Sequence, residues 1–503
     1  MKIVVLPLDE RPCNYNYLQA LPLPSEVNLV LPSKSYLSNK KEICNLDRLA
    51  KWLIDESMDA DYLVLSFDTL LYGGIVPSRN HHFSLDDIFK RSNVISKIKE
   101  LNPKIKIFAN ELIMRCPSYN SSDEEPDYFE TNGYNIFHLG QLIDKKQLNE
   151  ITLNEEKELK SLKEKLDKNI LDDFLNRRKK NLEGILNNLR YVKDGLIDFF
   201  VIPQDDCSEY GFTSMDTRKI KEFIEENNLT ENIVMYPGAD EIGLTLISRV
   251  LNDYFKYEPK IFVFFGSNLG RNAIPMFEDR PVNETIKYHI YAIKGIYVSS
   301  ISEADICLGI NNGSEFIDIK DKRVSIVYEK NRNLYSFIDT IKYIINLKKN
   351  VGIADIAFCN EGDKELIKHL DNKNLLFKIS AYAGWNTSSN TIGTTLANLI
   401  SYFYSKDDIK KDKSLLKRYI EDYIYMGVVR NLIIFEINKN NDKGITKFNL
   451  GSKRKYYEEL GKKLILNETK KFSNTLFSYI KDLKISFIWN RTFEIELNIE
   501  DSL

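Results

Sequence analysis

Two adjacent carboxylates follow an apolar run near the middle of the chain, in the string VIPQDD that ends at Asp206. Repulsion between close carboxylates raises the pKa of one of them, so that one group holds a proton while its neighbour stays ionised. Cleavage of a glycosidic bond requires this division of labour between two carboxyl groups. We therefore predict that Asp205 and Asp206 are catalytic, since two adjacent acids followed by CSEYGF do not simply start a helix.

Acidic, arginine and tyrosine side chains follow several other apolar runs in the first half of the chain. Parallel α/β proteins bind ligands at the carboxyl ends of their strands, where loops converge and helix N-termini point their amides. For any single acid the alternative is an N-cap of the next helix, and for Asp240 the two interpretations are balanced. The predicted substrate-binding residues here are Asp9, Glu10, Arg11, Asp68, Tyr72, Arg79, Glu111, Arg115, Asp240 and Glu241.

Two later loops are also rich in polar side chains. The string GSNLGRN places glycines around Ser and Asn, so backbone amides can approach a ligand, and its arginine can bind an anion through two hydrogen bonds. The string AYAGWNTSSNT combines amides, hydroxyls and an indole, which suits a sugar ring. A structural turn and a helix N-cap beside a core tryptophan are the respective alternatives. The predicted binding residues are Asn268, Arg271, Asn272, Trp385 and Asn386.

The sequence offers little support for transition metals or for other known catalytic motifs. The chain has five histidines, and the one adjacent pair, His81 and His82, is more typical of a surface loop than of a zinc site. Neither a GxSxG elbow nor a GxGxxG or GxxxxGK[ST] phosphate loop occurs. A divalent cation held by Asp9, Asp68 or Asp205 stays open, because such ions need only oxygen ligands. We expect no cofactor and no bound metal.

Short apolar runs recur along the chain, each followed by a polar or glycine-rich turn and then by a helical period. Continuous rather than alternating apolarity is typical of strands buried on both faces, and the helices supply the crossovers that parallel strands require. The predicted strands are Ile3–Leu6, Val27–Leu31, Tyr62–Phe67, Ile105–Ala109, Phe199–Ile202, Ile233–Tyr236, Ile261–Phe265, Ile306–Ile310, Val324–Val327, Ile353–Phe358 and Leu375–Ile379.

These strands predict a parallel-stranded α/β fold, either TIM-barrel-like or built of two doubly wound α/β domains. The barrel is slightly favoured for the part up to about residue 310. We predict an N-terminal α/β domain over 1–257 with a helical insertion at 118–195, and a second α/β region over 258–400. A C-terminal α+β cap over 401–503 should contain strands at Leu432–Ile437 and Phe493–Leu497.

Composition argues against several classes of partner. The net charge of −3 gives no electrostatic reason to expect nucleic acid or an anionic membrane surface. The six scattered cysteines indicate reduced intracellular thiols. The apolar N-terminal run is too short for a signal peptide, and no stretch approaches the roughly 18 apolar residues of a membrane span. We expect a cytoplasmic bacterial protein that acts on a small molecule or carbohydrate, binds neither nucleic acid nor membrane, and has an oligomeric state that the sequence leaves open.

Several strings resemble the signatures of an uncharacterised bacterial family known only as a domain of unknown function. They are LPLDERP, DTLLYGGIVPSR, VIPQDD, YPGADEIGLTL, GSNLGRN and AYAGWNTSSNTIGTTLA, and the resemblance extends to the late string WNRTF at Trp489–Phe493. This resemblance implies no activity. More distantly, the Asp-Asp pair, the segment Asp279–Asn283 and the Asn-rich final loop are similar to barrel hexosaminidases that use substrate-assisted catalysis. That similarity implies that Asp205 orients an N-acetyl group and that Asp206 protonates the leaving oxygen.

Three functions are therefore open. The leading hypothesis is a glycosidase of the N-acetylhexosaminidase type that uses Asp205 and Asp206 as its paired carboxylates. The second is a Mg- or Mn-dependent enzyme that acts on an anionic small molecule, with Arg271 holding the anion. The third is a ligand-binding protein without catalysis.

Overall fold

The computed structural model describes residues 1–316, 328, 330–473 and 475–502. The chain divides into two compact units, each with its own parallel sheet. Unit 1 consists of Met1–Glu10, Val27–Gly243 and Phe277–Asp279. Unit 2 consists of Arg11–Glu26, Leu244–Met276 and Arg280–Leu503. The prediction of an α/β fold with parallel strands is confirmed, and the strands form two open sheets rather than the closed barrel that the sequence slightly favoured.

The sheet of unit 1 has six parallel strands in the order β2-β1-β3-β4-β5-β6. Strands β3 and β5 are buried along their whole length, which explains their continuous apolar sequences. The strand bounds are β1 Lys2–Leu6, β2 Asn28–Val30, β3 Tyr62–Ser66, β4 Lys106–Asn110, β5 Phe199–Gln204 and β6 Ile233–Pro237.

Helices connect these strands and supply the parallel crossovers. Three of them lie between β4 and β5, and the second, Leu153–Lys165, begins at a capping box formed by Thr152 and Glu155. The helices of unit 1 are Leu46–Ser57, Phe67–Tyr72, Ile75–Asn80, Leu85–Ser92, Val94–Leu101, Phe129–Gln147, Leu153–Lys165, Lys168–Lys193 and Phe212–Glu226, with a short 3₁₀ helix at Lys34–Tyr36. The helix Ile242–Tyr254 begins in unit 1 and continues in unit 2.

The main sheet of unit 2 has five parallel strands in the order β11-β10-β9-β7-β8, and β12 and β13 form a small antiparallel pair. The strand bounds are β7 Lys260–Phe265, β8 Ile296–Val298, β9 Ile306–Asn311, β10 Asn350–Asp355, β11 Ala381–Ala383, β12 Ile480–Phe487 and β13 Ile495–Asp501. The other helices described in unit 2 are Asn16–Gln19, Val282–Ala292, Leu334–Asn346, Lys364–Asn372, Ser388–Ser405, Asp408–Arg418, Arg430–Asn440 and Arg454–Thr469, with a π-helix at Tyr419–Val429 and 3₁₀ helices at Leu269–Asn272, Gly451–Lys453, Thr475–Tyr479 and Ile488–Asn490.

Both parallel sheets follow the same strand order. In each unit the first strand lies between the second and the third, and the remaining strands continue in chain order on the third strand's side. The direction of winding therefore reverses between β1 and β3 in unit 1, and between β7 and β9 in unit 2. Open α/β sheets bind ligands outside the carboxyl ends of the strands at such a reversal. The topology thus marks one candidate region in each unit.

Some element predictions were wrong. Residues Leu432–Ile437 lie in the helix Arg430–Asn440, because a short apolar run cannot be told from a buried helix segment by periodicity alone. Leu375–Ile379 is not a strand, and the chain pairs only at β11, which follows it. The short strand β8 and the alternating strand β12 were not predicted. The predicted strand Val324–Val327 lies outside the described residues. No helix within the described residues has the length and apolarity needed to cross a membrane.

Candidate active site

Five neighbouring strands of unit 1 lead into buried or partly buried acidic residues at their carboxyl ends. Asp9 follows β1, Asp68 follows β3, Glu111 follows β4 and Asp240 follows β6, and each is less than a tenth exposed. The Asp205–Asp206 pair follows β5, with side chains about one fifth exposed at 18% and 17%. Because these strands are parallel neighbours, their carboxyl ends lie along one edge of the sheet. The strand ends thus bring the predicted acids to a common edge.

The loops after β1 and β3 are joined by backbone contacts at the point where the winding reverses. The Thr69 hydroxyl lies 2.6 Å from the carbonyl oxygen of Pro7 and 2.7 Å from that of Leu8. Gly74 has a φ of 137°, and a Cβ at this position would come within 3.2 Å of the Leu8 carbonyl oxygen. Only glycine fits this conformation and this approach without strain. The second glycine of the GG pair in DTLLYGGIVPSR, Gly74, therefore allows the two loops to pack closely.

Two arginines organise the acids after β5. Arg79 donates from Nη2 to Asp205 at 2.6 Å and from Nη1 to Glu124 at 2.8 Å. Arg115 donates from Nη1 to Asp206 at 3.2 Å, and the same nitrogen lies 3.9 Å from Asp205. One guanidinium nitrogen therefore faces both carboxylates of the pair, and hydrogen bonds to a charged donor are the strong ones.

Two further acids near these arginines, Glu124 and Glu125, lie in a loop that the sequence did not indicate as part of the site. Arg115 donates from Nε to Glu125 at 2.8 Å and from Nη2 to Glu124 at 3.1 Å. Glu125 is 1% exposed although it lies in a polar loop before the helix Phe129–Gln147. The signal that could have revealed these residues is charge balance, because Arg79 in the helix Ile75–Asn80 and Arg115 after β4 are nearly buried and require carboxylate partners. Asp205, Asp206, Glu124, Glu125, Arg79 and Arg115 together form what is called below the acid–arginine cluster.

Burial is the main cause of raised pKa values at four carboxyls near the strand ends: Asp68, Glu111, Asp206 and Glu241. Burial and the neighbouring Asp205 charge raise the pKa of Asp206 to about 6, against the opposing effect of Arg115. Burial raises the pKa of Asp68 to about 7, although the Leu112 amide donates to its carboxylate at 3.0 Å. Burial also raises the pKa of Glu241 to about 8 and that of Glu111 well above its ordinary value. Groups with such shifts can exchange protons near neutral pH, and they concentrate at functional sites.

The backbone at Asp206 adopts a left-handed conformation with φ of 45°. The next residue is fixed by a hydrogen bond from its amide, since Cys207 donates to the carbonyl oxygen of Phe277 at 3.1 Å. Aspartate and asparagine tolerate this conformation better than other residues with side chains. In an extended strand, two consecutive carboxylates would point to opposite faces. The turn instead directs both of them toward one arginine.

The remaining predicted residues of unit 1 lie near this cluster or further along the same edge. Tyr72 is buried, and its ring stacks on His81 at a centroid distance of 4.6 Å. His81 is 3% exposed, so the expectation of a surface loop was wrong for this histidine, and burial lowers its pKa to about 4. Glu10 accepts a hydrogen bond from the Lys40 amide at 2.9 Å. Glu241 accepts one from the Ala239 amide at 3.0 Å, so this carboxylate stabilises its own turn.

The other predicted binding residues belong to unit 2. Trp385 is 6% exposed and packs in the hydrophobic core beside Tyr17 and Phe493. Asn386 accepts a hydrogen bond from the following amide, and Arg271 donates to Asn283 at 3.2 Å. The unit 2 members of the predicted set are Arg11, Asn268, Arg271, Asn272, Trp385 and Asn386.

The described residues contain no group of three or more His, Cys, Asp or Glu side chains arranged to hold a metal ion. In the acid–arginine cluster the positive charge next to the carboxylates is supplied by Arg79 and Arg115.

Comparison with known proteins identifies a family but no activity. A family model described as a protein of unknown function, DUF4127, matches residues 3–498, so the chain belongs to this family, and the resemblance noted in the sequence is confirmed. Neither the curated proteins nor the solved structures gave a significant match.

Proposed function

We propose that this member of the DUF4127 family is a hydrolase that cleaves a glycosidic bond by general acid–base catalysis at Asp205 and Asp206. The observation that supports this proposal is the state of the pair. Both carboxyls are partly exposed, both face the Arg115 guanidinium, and the pKa of Asp206 is raised to about 6. This reaction requires at least two carboxyl groups, one protonated and one ionised.

Asp206 serves as the proton donor in this proposal. A pKa of about 6 leaves a fraction of the carboxyl protonated near neutral pH, and the acid is efficient because its pKa lies close to the working pH. Its side chain is 17% exposed, so a leaving-group oxygen can reach it from solvent.

Asp205 serves as the ionised partner. The 2.6 Å hydrogen bond from Arg79 holds one of its oxygens against a guanidinium that is only 3% exposed. The carboxylate therefore faces a fixed positive charge on one side and solvent on the other. For a substrate with an N-acetyl group, Asp205 would orient the acetamide, as in the hexosaminidases that this pair resembles.

Glu124 and Glu125 act as positioning residues. Glu124 accepts from both Arg79 and Arg115, at 2.8 and 3.1 Å, and so ties the two guanidinium groups together. Loss of either glutamate would leave an arginine able to move toward the catalytic pair, which would change the electrostatic environment of Asp206 without removing a reacting group.

The test is hydrolysis of a panel of aryl glycosides, including N-acetylhexosaminides, by the purified full chain. Asp206→Asn should lower turnover by a factor on the order of 10² to 10⁴, because the amide cannot deliver a proton. Asparagine also tolerates the left-handed backbone at this position, so the variant should fold. The matched control is Asp172→Asn, an exposed carboxylate on the helix Lys168–Lys193, which should leave turnover unchanged.

The acidity of the aryl leaving group distinguishes the role of Asp206 from that of Asp205. A more acidic aryl leaving group needs less protonation, so it should restore Asp206→Asn more than Asp205→Asn. The proposal fails if the wild-type chain hydrolyses none of the glycosides. It also fails if Asp206→Asn keeps near-normal turnover on a glycoside that the wild-type chain does cleave.

A further inference from the structure

A cavity of about 1140 Å³ lies within unit 2, far larger than a packing defect. It is bordered by the loop after β7, by the loop after β10 and by the start of the helix Leu334–Asn346. These segments lie at the carboxyl end of the second parallel sheet, beside the point where its winding reverses between β7 and β9. Cavities at this place in open α/β sheets are the usual ligand sites, with volumes of about 300 to 1000 Å³.

Arg332 presents unused hydrogen-bond donors to this cavity. Its side chain is 7% exposed, and its Nη1 atom donates to Asn311 at 3.1 Å and to Asp363. Among the described residues, neither Nε nor Nη2 of Arg332 has a hydrogen-bond partner. Donors that face a cavity can give their hydrogen bonds to the oxygens of a bound anion, and such charge-assisted bonds are the strong ones.

A network of buried polar groups holds Arg332 in place. Asn311 donates to Asp355 at 2.7 Å and to Asp363 at 3.0 Å, and the Asp363 amide donates to Asp355 at 2.7 Å. These residues end β9 and β10 and begin the helix Lys364–Asn372. The guanidinium is therefore positioned before any ligand binds, which lowers the entropic cost of binding.

The cavity wall also favours an anion near Arg332. The first turns of the helices Leu334–Asn346 and Lys364–Asn372 border it, and helix N-termini carry partial positive charge. Lys330 and Lys364 add two cations, the charge of Asp363 is paired with Arg332, and Glu365 places one further carboxylate on the wall. Glu361 also lines the cavity, and burial raises its pKa to about 7, so its negative charge is only partly present near neutral pH.

Aromatic rings form another part of the wall. Tyr328 and Phe358 pack against each other with ring centroids 5.4 Å apart, and Tyr335 and Tyr423 also line the cavity. Tyr335 is 73% exposed, and its ring meets that of His369, which also lines the cavity, edge-on at a centroid distance of 5.1 Å. Such rings stack well against a planar ligand.

We infer that this cavity binds a nucleotide-type ligand, an organic phosphate whose oxygens accept from Arg332 and whose planar ring packs against the tyrosines. The chain has no phosphate-loop spacing, so side-chain donors rather than a glycine-rich loop would hold the phosphate. The site lies in unit 2 and does not depend on the hydrolase proposed for unit 1.

Calorimetric titration of the full chain with AMP, GMP, UMP and FMN tests this inference, with inorganic phosphate and the parent nucleosides as partial ligands. At least one nucleotide should bind with a Kd in the micromolar range, and its nucleoside and inorganic phosphate should each bind at least about tenfold more weakly. Arg332→Lys keeps the charge but loses the planar fork, and Lys364→Gln removes an exposed cation, so each should weaken nucleotide binding by about tenfold.

Lys368→Gln provides the control, because Lys368 is exposed on the same helix but does not line the cavity. It should bind the nucleotide like the wild type, and so should Asp206→Asn, which separates this site from the proposed hydrolase. Thermal unfolding reports whether Arg332→Lys folds. If it does not, nucleotide binding by Lys364→Gln and Tyr335→Ala tests the inference, and both should bind the nucleotide more weakly than the wild type. The inference is overturned if no nucleotide binds, if inorganic phosphate binds as tightly, or if the folded cavity variants bind like the wild type.

Discussion

The raised pKa of Asp206 predicts a pH-dependent cost to stability that Asp206→Asn should remove. The folded-state pKa of about 6 lies above the ordinary value of 3.8. The folded state therefore binds more protons than the unfolded state in this window. The contribution of Asp206 to the free energy of unfolding is fully present below the unfolded-state pKa and is lost as pH rises through about 6.

The size of the effect follows from the shift. A difference of about two pKa units corresponds to about 3 kcal/mol over the whole window, of which about 2 kcal/mol falls between about pH 4.5 and about pH 7.5. Water at the exposed edge of the side chain screens part of this charge, so about 1 to 2 kcal/mol is expected. Asparagine does not titrate. The free energy of unfolding of Asp206→Asn should therefore rise relative to that of the wild type by this amount as pH increases.

Urea unfolding of both proteins at the two pH values measures the difference directly. All other carboxyls titrate in both proteins, so the change with pH in the difference between variant and wild type reports Asp206 together with its interaction with the Asp205 charge. Asp172→Asn, which removes an exposed carboxylate, should show almost no pH-dependent difference. A variant-to-wild-type difference that stays constant within about 0.5 kcal/mol between the two pH values would refute the argument that burial holds a proton on Asp206.

Two further predictions concern the loops and the chemistry of unit 1. Gly74→Ala should lower the free energy of unfolding by at least about 1 to 3 kcal/mol, because a Cβ at φ of 137° would be strained and would approach the Leu8 carbonyl oxygen at 3.2 Å. Gly211→Ala is the control, because Gly211 has the same φ of 137° while the nearest atom to a Cβ there is 3.8 Å away, and equal losses for both variants would contradict the role of the contact. Treatment with EDTA should leave glycoside turnover unchanged, since paired carboxylates need no cation. Loss of turnover on chelation, with recovery on addition of Mg²⁺ or Mn²⁺, would favour the metal-dependent alternative instead.

The parallel strands of both units were largely predictable because their signal is local. Strands such as β3 and β5 are buried on both faces, so their residues must be apolar without interruption. The three residues of β8, Ile296–Val298, are apolar but exposed or half-buried, and three residues are too short a run to be distinguished from a loop. Strand β12 alternates between apolar and polar residues, a pattern that the search for continuous runs passed over.

The acids of the candidate site were predictable for a different local reason. A polar residue that directly follows a buried parallel strand has to lie at the carboxyl edge of the sheet, so Asp68, Glu111 and Asp205 could be named without knowing the strand order. Glu124 and Glu125 follow no strand, and their polar loop is typical of a solvated surface. Only folding of that loop over the sheet edge buries Glu125 against Arg115.

The sequence by itself determined that the chain forms parallel sheets and that acids and arginines gather at their strand ends, because burial and chain direction act on a few consecutive residues at a time. Tertiary structure alone decided which charges meet. Arg79 and Asp205 are 126 residues apart, and Arg115 and Asp206 are 91 residues apart. Neither a periodicity nor a motif spans such distances, since the pairing depends on the order of the strands in the sheet and on the left-handed turn at Asp206. The shift of the Asp206 pKa arises from that same packing, through burial and the charges that the fold places beside it.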